Sequence, residues 1–116
     1  MYSGRSFGCD ICQDVCPWNR RAALSDDEAW QPREGLAFPR LVDLCRHSDD
    51  AWTERLKGSA LKRAGLHRIR RTLGYALGTS SDPDAGAALE SLASAPSATE
   101  PIVADAIAWS RRRRAR

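Results

Sequence analysis

The sequence predicts a mainly α chain in two parts, an irregular cysteine-bearing segment over residues 1–40 and a helical region over residues 41–116. Three observations predict it. Cys9, Cys12 and Cys16 crowd into a stretch punctuated by Gly4, Gly8, Pro17, Pro32, Gly35 and Pro39, where apolar residues follow no sustained period. From Leu41 onward, apolar residues recur at helical spacing. Hydrophobic residues make up 42% of the 116, ordinary usage for a packed domain rather than a disordered chain.

A chain of this length buries roughly 60–70% of the surface its unfolded form exposes, so one modest core is feasible. Eighteen Lys plus Arg against fifteen Asp plus Glu leave a net charge of only +3. No stretch approaches the roughly 20 apolar residues needed to cross a bilayer. No basic start followed by an apolar run and a small-residue cleavage site is seen at the N-terminus. The expectation is a cytoplasmic protein with no membrane partner. In that compartment, crowded cysteines point to metal rather than to disulfides.

Residues 1–40 cannot bury enough surface to order themselves unaided, so a metal, a cluster or another polypeptide must staple them. The helices follow in order. Pro39 precedes a short apolar stretch, Leu41, Val42, Leu44 and Cys45, which a polar break at His47–Asp50 closes. Asp49 or Asp50 caps a helix holding Trp52 and Leu56, four apart and therefore on one face. Gly58 stops it and Ser59 caps the next helix, in which Leu61, Leu66, Ile69, Leu73 and Leu77 keep to one face until Gly78.

Thr79-Ser80-Ser81-Asp82-Pro83 is a turn with capping residues and an early proline. Leu89 and Leu92 make the following apolar strip, which Ala95-Pro96-Ser97 breaks. Thr99 caps a last helix with Glu100 and Pro101 in its first turn and Ile102, Val103, Ala106, Ile107 and Trp109 as its apolar residues. Arg111–Arg114 suit a helix C-terminus and read as a frayed, solvated end. Helix pairs joined by short Asp-Pro or Glu-Pro turns suggest HEAT-like repeats.

Cys9-Asp10-Ile11-Cys12-Gln13-Asp14-Val15-Cys16-Pro17 has the spacing C-x2-C-x3-C-P, the last three cysteines and the proline of a ferredoxin-like run. Short loops let successive thiolates wrap the corners of a cubane, while the last cysteine points away and in two-cluster proteins serves the other cluster. The run's first cysteine position is Ser6, so the motif alone does not complete a four-thiolate site. Zinc also uses C-x2-C, though a third thiolate three residues on and a trailing proline suit it less. Cys45, inside a helix, reads as a buried structural thiol.

Residues Phe7 to Asn19, ending Cys16-Pro17-Trp18-Asn19, resemble the second cysteine motif of the epoxyqueuosine reductases. Gly58-Ser59-Ala60-Leu61-Lys62-Arg63 and Arg70 to Gly78 resemble the start of that family's C-terminal HEAT-like region, and Leu36-Ala37-Phe38-Pro39 falls where its connecting segment would. The resemblance implies an oxidoreductase that reduces epoxyqueuosine to queuosine in tRNA, using cobalamin and two 4Fe–4S clusters. It implies that Cys9 and Cys12 ligate one cluster and Cys16 the other, with the remaining ligands upstream, and that Cys9 and Asp10 lie near the cobalamin. Met1 falls just ahead of the motif, so the chain is expected to be the C-terminal part of such an enzyme. The expected partners are an N-terminal cobalamin domain, or a chain supplying it, and an electron donor. Alone, the chain is expected to be inactive, and no catalytic residue is assigned within it.

Arg55, Lys57, Lys62, Arg63, Arg68, Arg70 and Arg71 form a basic stretch with His67 among them. Such a stretch is ordinarily a solvated helix face, but tRNA as the implied substrate favours phosphate binding, with Lys62 and Arg63 first and Arg70 and Arg71 next. Trp18 reads as a packing residue, Trp52 and Trp109 as core, and His47 and His67 as surface histidines. Two rival readings stand: an iron–sulfur electron-transfer subunit that shares clusters with a partner chain, and a zinc-binding helical interaction module.

Overall fold

The computed structural model describes residues 10–34, 36–37 and 39–116. Gly4, Ser6, Phe7, Gly8 and Cys9 of the N-terminal motif, with Gly35 and Phe38, lie outside the described residues. The chain is mainly helical, with α1 Ile11–Asp14, α2 Leu41–Arg46, α3 Asp49–Leu56, α4 Leu66–Thr79, α5 Ala85–Ala93 and α6 Pro101–Arg114, and no strand among the described residues. Two units divide it, Gly8–Pro39 and a helical unit from Arg40 to Arg116.

In the helical unit α4 packs chiefly along α6, and α2, α3 and α5 also meet it. Ile69, Leu73, Ala76 and Leu77 of α4 are buried together with Leu89 and Leu92 of α5 and Val103, Ala106 and Ile107 of α6. Val42, Leu44 and Cys45 of α2 and Trp52 and Leu56 of α3 complete the core. Trp52 is anchored by its indole N–H, which donates to Leu44 O at 3.1 Å. Trp109 is half-buried, edge-on to Tyr75 with centroids 5.3 Å apart.

Two local expectations about α4 are corrected. The helix expected from Ser59 to Gly78 is two elements: Ser59 Oγ accepts from Leu61 N–H and starts a 3-10 turn, Ala60–Arg63, and α4 begins only after Gly65. Gly65 has φ +76°, a conformation that breaks the helix and that glycine adopts without a Cβ clash. Gly78 does not end α4 but lies buried within it, where a Cβ would stand 2.6 Å from Ser110 Oγ and 3.0 Å from Ser110 Cα. The missing side chain lets α4 and α6 approach, and Ser110 Oγ donates to Gly74 O at 2.7 Å across that contact.

The caps shift as well. Ser48, not Asp49 or Asp50, caps α3, its hydroxyl accepting from Ala51 N–H, and Glu100 rather than Thr99 stands at the cap position of α6. Thr99 belongs to the 3-10 turn Pro96–Thr99, where its hydroxyl donates to Pro96 O.

Candidate functional site

The described part of the cysteine motif is built on α1. Asp10 enters it in the left-handed region, φ +48°, and its carbonyl accepts from Gln13 and Asp14 N–H at 2.8 and 2.9 Å. Cys12 sits on α1 and is exposed; Cys16 follows the helix, half-buried, and neither forms a disulfide. The Pro-Trp-Asn ending has a structural reason. Asn19 Nδ2 donates back to Gln13 Oε1 at 2.8 Å and to Gln13 O at 3.2 Å, and Asn19 N–H donates to Cys16 O, so the chain closes around Cys16. Trp18, expected to pack, is exposed within its unit.

Two thiols without a disulfide partner match by donor type the soft ligands of an iron–sulfur or zinc centre. Among the described residues no group of three His, Cys, Asp or Glu side chains gathers to hold a metal, and Cys9 lies outside them. Cys45 is no substitute ligand. It is buried in α2, as expected, and burial pushes its thiol up to about 12 although Arg70 pulls the other way. For cobalamin the described residues offer only Asp10, an exposed carboxylate. An exposed carboxylate by itself does not make a corrinoid site.

The basic stretch separates into residues with different tasks. Lys62 and Arg63 are exposed on the 3-10 turn, and Arg63 lines a depression of about 500 Å³ with Ala60, Ala64 and Arg68. Arg71 is half-buried, its Nε buried without a hydrogen bond among the described residues. Arg70 corrects the sequence expectation: it is 0% exposed and has no surface to offer RNA. Its Nε and Nη2 donate to Asp49 Oδ1 at 3.0 and 2.7 Å, its Nη1 to Cys45 O at 3.2 Å, and its Nη2 to His47 O. Asp49 in turn accepts from Ser97 N–H and Ser97 Oγ at 2.7 and 2.8 Å. Burial pushes the Asp49 carboxyl up, but the Ser97 and Arg70 hydrogen bonds prevail and hold it below its ordinary range.

The periodicity carried a signal for this, since Arg70 follows Ile69 and precedes Leu73 by three, beside the apolar stripe of α4. Its partner, Asp49, is 21 residues away and was readable only as a cap. His67 is exposed and faces Glu100 at 3.8 Å. His47, expected at the surface, is half-buried and edge-on to Trp52.

Fold and site together define the class, a helical unit preceded by a segment that presents free thiols. The chain is homologous to one stretch of the epoxyqueuosine reductases. It is 36% identical to that of Escherichia coli over 110 residues, 94% of this chain and 28% of the relative. It is 36% identical to that of Pseudomonas aeruginosa over 113 residues, 97% of this chain and 31% of the relative. A shorter match to that of a Synechococcus strain reaches 48% over 67 residues, 57% of this chain and 21% of the relative. The chain therefore spans about a third or less of the length of these relatives. No family model matches it, and no solved structure matches it. No helix among the described residues is long and apolar enough to cross a membrane.

Proposed function

We propose that the chain is the cluster-motif and RNA-facing region of a cytoplasmic epoxyqueuosine reductase, an enzyme that reduces epoxyqueuosine to queuosine in tRNA. The observation that carries the reading is the homology to the Pseudomonas aeruginosa reductase over 97% of the chain. A match of that extent cannot leave out the C-x2-C-x3-C-P motif at residues 9–17. Cys9, Cys12 and Cys16 are the proposed thiolate ligands of 4Fe–4S clusters completed by cysteines outside these 116 residues, and such clusters supply electron transfer when bound. Lys62, Arg63, Arg68 and Arg71 are the proposed contacts to tRNA phosphates, with Arg70 withdrawn from that set. The helical unit then serves as a HEAT-like platform. Reduction itself falls to the cobalamin-bearing part of the enzyme.

The test is a chimaera in which this chain replaces the corresponding stretch of the Escherichia coli reductase, purified without oxygen. Iron and acid-labile sulfide in amounts for two clusters, with conversion of epoxyqueuosine in tRNA, are expected. Cys12→Ser and Cys16→Ser should each remove one cluster, and the two losses should differ spectroscopically. Equimolar zinc without sulfide would establish the zinc module instead. Clusters without any preference for tRNA would establish an electron-transfer subunit.

A further inference from the structure

The arginine run at the end of α6 does not behave as one solvated tail. Two of its members are engaged within the fold. Arg111 pairs with Glu90 of α5, its Nε donating to Glu90 Oε1 at 3.0 Å. Arg114 Nη1 donates to Leu77 O at 3.1 Å and Ser80 O at 2.9 Å, satisfying carbonyls at the end of α4. These bonds hold the end of α6 in place and correct the frayed-end expectation.

The other two members, and Arg116 just beyond the helix, are different. Arg112, Arg113 and Arg116 are exposed and form no ion pair among the described residues. Trp109, Arg112 and Arg113 fall at i, i+3 and i+4 of α6, the spacing that brings side chains to one face, and Arg116 follows just beyond the helix end. That face is concave. Trp109, Arg112, Arg113 and Arg116 line a hollow of about 190 Å³, and Arg113, Arg114 and Arg116 line a second of about 460 Å³ against Ser80 and Ser81. Three uncompensated guanidinium groups beside hydroxyls suit phosphate oxygens. Glu90 of the neighbouring α5 is already paired with Arg111.

We infer that this arginine face is a second phosphate-backbone contact for structured RNA, separate from Lys62, Arg63 and Arg68. The inference rests on the proposed tRNA reading and deepens it. The two clusters stand at opposite ends of α4, 14 residues long, and so roughly 20 Å apart along its axis. A folded RNA spans that interval; a mononucleotide or inorganic phosphate reaches one cluster only.

The experiment measures binding of an in-vitro transcribed tRNA to the 116-residue chain across a salt series. Three proteins are compared: the wild type, Arg112→Ala/Arg113→Ala/Arg116→Ala, and Lys62→Ala/Arg63→Ala. Removing one cation from a phosphate lowers the slope of log affinity against log salt by about 0.7–0.9. The triple variant is expected to lose about 2–3 units of slope and on the order of a hundredfold in low-salt affinity, with unchanged helical circular dichroism. Ser81→Asp, which brings a negative charge to the same hollow, should weaken binding in the same direction. If only Lys62→Ala/Arg63→Ala weakens binding, the arginine face is not an RNA contact and the proposed function stands. If the wild type binds no tRNA, the RNA part of that reading falls and this inference with it. If the triple variant loses affinity for phosphatidylserine vesicles while keeping it for tRNA, the face belongs to a membrane surface and the inference is overturned.

Discussion

The cysteine unit and the helical unit both carry large apolar side chains and dispose of them in opposite ways. From Val42 to Ile107 sixteen apolar residues are buried. In Gly8–Pro39 no described residue is buried, and Trp18 and Leu24 are 86% and 99% exposed, with Ile11, Val15 and Trp30 also outward. The helical unit is held by hydrophobic burial and by one buried ionic knot. The described part of the cysteine unit is held by short-range hydrogen bonds, those to the Asp10 carbonyl and those between Asn19 and Gln13. Local bonds of this kind each contribute about 1 kcal/mol, far below what ordering some thirty residues costs. The difference teaches that the helical unit draws its stability from its own side chains, whereas the described side chains of the cysteine unit bury no apolar surface with which to do the same.

The thiols give the largest contrast. Burial pushes Cys45 up to about 12, so at pH 8 only on the order of one molecule in 10⁴ carries it as thiolate. Cys12 is exposed. Iodoacetamide with site-resolved mass spectrometry should alkylate Cys12 at least about a thousandfold faster than Cys45, which reacts only when the helical unit opens. Comparable rates at the two sites would show that the helical core is loose and would break the comparison.

Much of the helical unit was legible because it obeys the 3.6-residue period: Leu73, Leu77, Leu89, Leu92, Val103 and Ile107 were assigned to helix faces and are all buried. What escaped had non-local causes. Gly78 reads as a stop until Ser110, 32 residues later, is seen to fill the place of its side chain. Arg70 reads as surface charge until Asp49 and Ser97 close around it. Arg111 and Arg114 read as a tail until Glu90 and the α4 carbonyls claim them. The spacing of the cysteine motif reads as a set of soft thiolate ligands, a reading that stays a proposal because Cys9 lies outside the described residues and no three ligands gather among them. It was not legible as a completed site, because three motif thiolates leave the ligand set open.

Arg70→Ala sharpens the contrast from the other side. It strips Asp49 of its charge partner and the carbonyls of Cys45 and His47 of their donor inside the core. Breaking a buried pair in this way costs about 3–5 kcal/mol, much of the stability of a domain of this size. Chemical denaturation followed by circular dichroism should show that loss. Cys45 should become reactive in the same variant, while Cys12, in the other unit, keeps its rate. If both thiols change together, the two units fold as one.

The smallest expected effect is the pH dependence that Asp49 gives the helical unit. A carboxyl held below its ordinary value in the folded state contributes stability that is present above the unfolded value, about 3.9, and is lost as pH falls through the folded one. Two other carboxyls are also lowered: Asp82, by the Asp84 N–H and Arg40, and Glu90, by Arg111. Those two are solvent-facing pairs that salt screens, whereas the Asp49–Arg70 pair is shielded, its guanidinium wholly buried. Melting temperatures measured from pH 6 to pH 2.5 in about 0.5 M salt should therefore retain the part of the acid limb that belongs to Asp49. In Asp49→Asn the protein starts less stable at pH 6, because Arg70 has lost its counter-charge, but the gap to the wild type should narrow as pH falls below about 4. A gap that stays constant across the range would mean that Asp49 acts through its hydrogen bonds alone and that charge adds nothing to the knot.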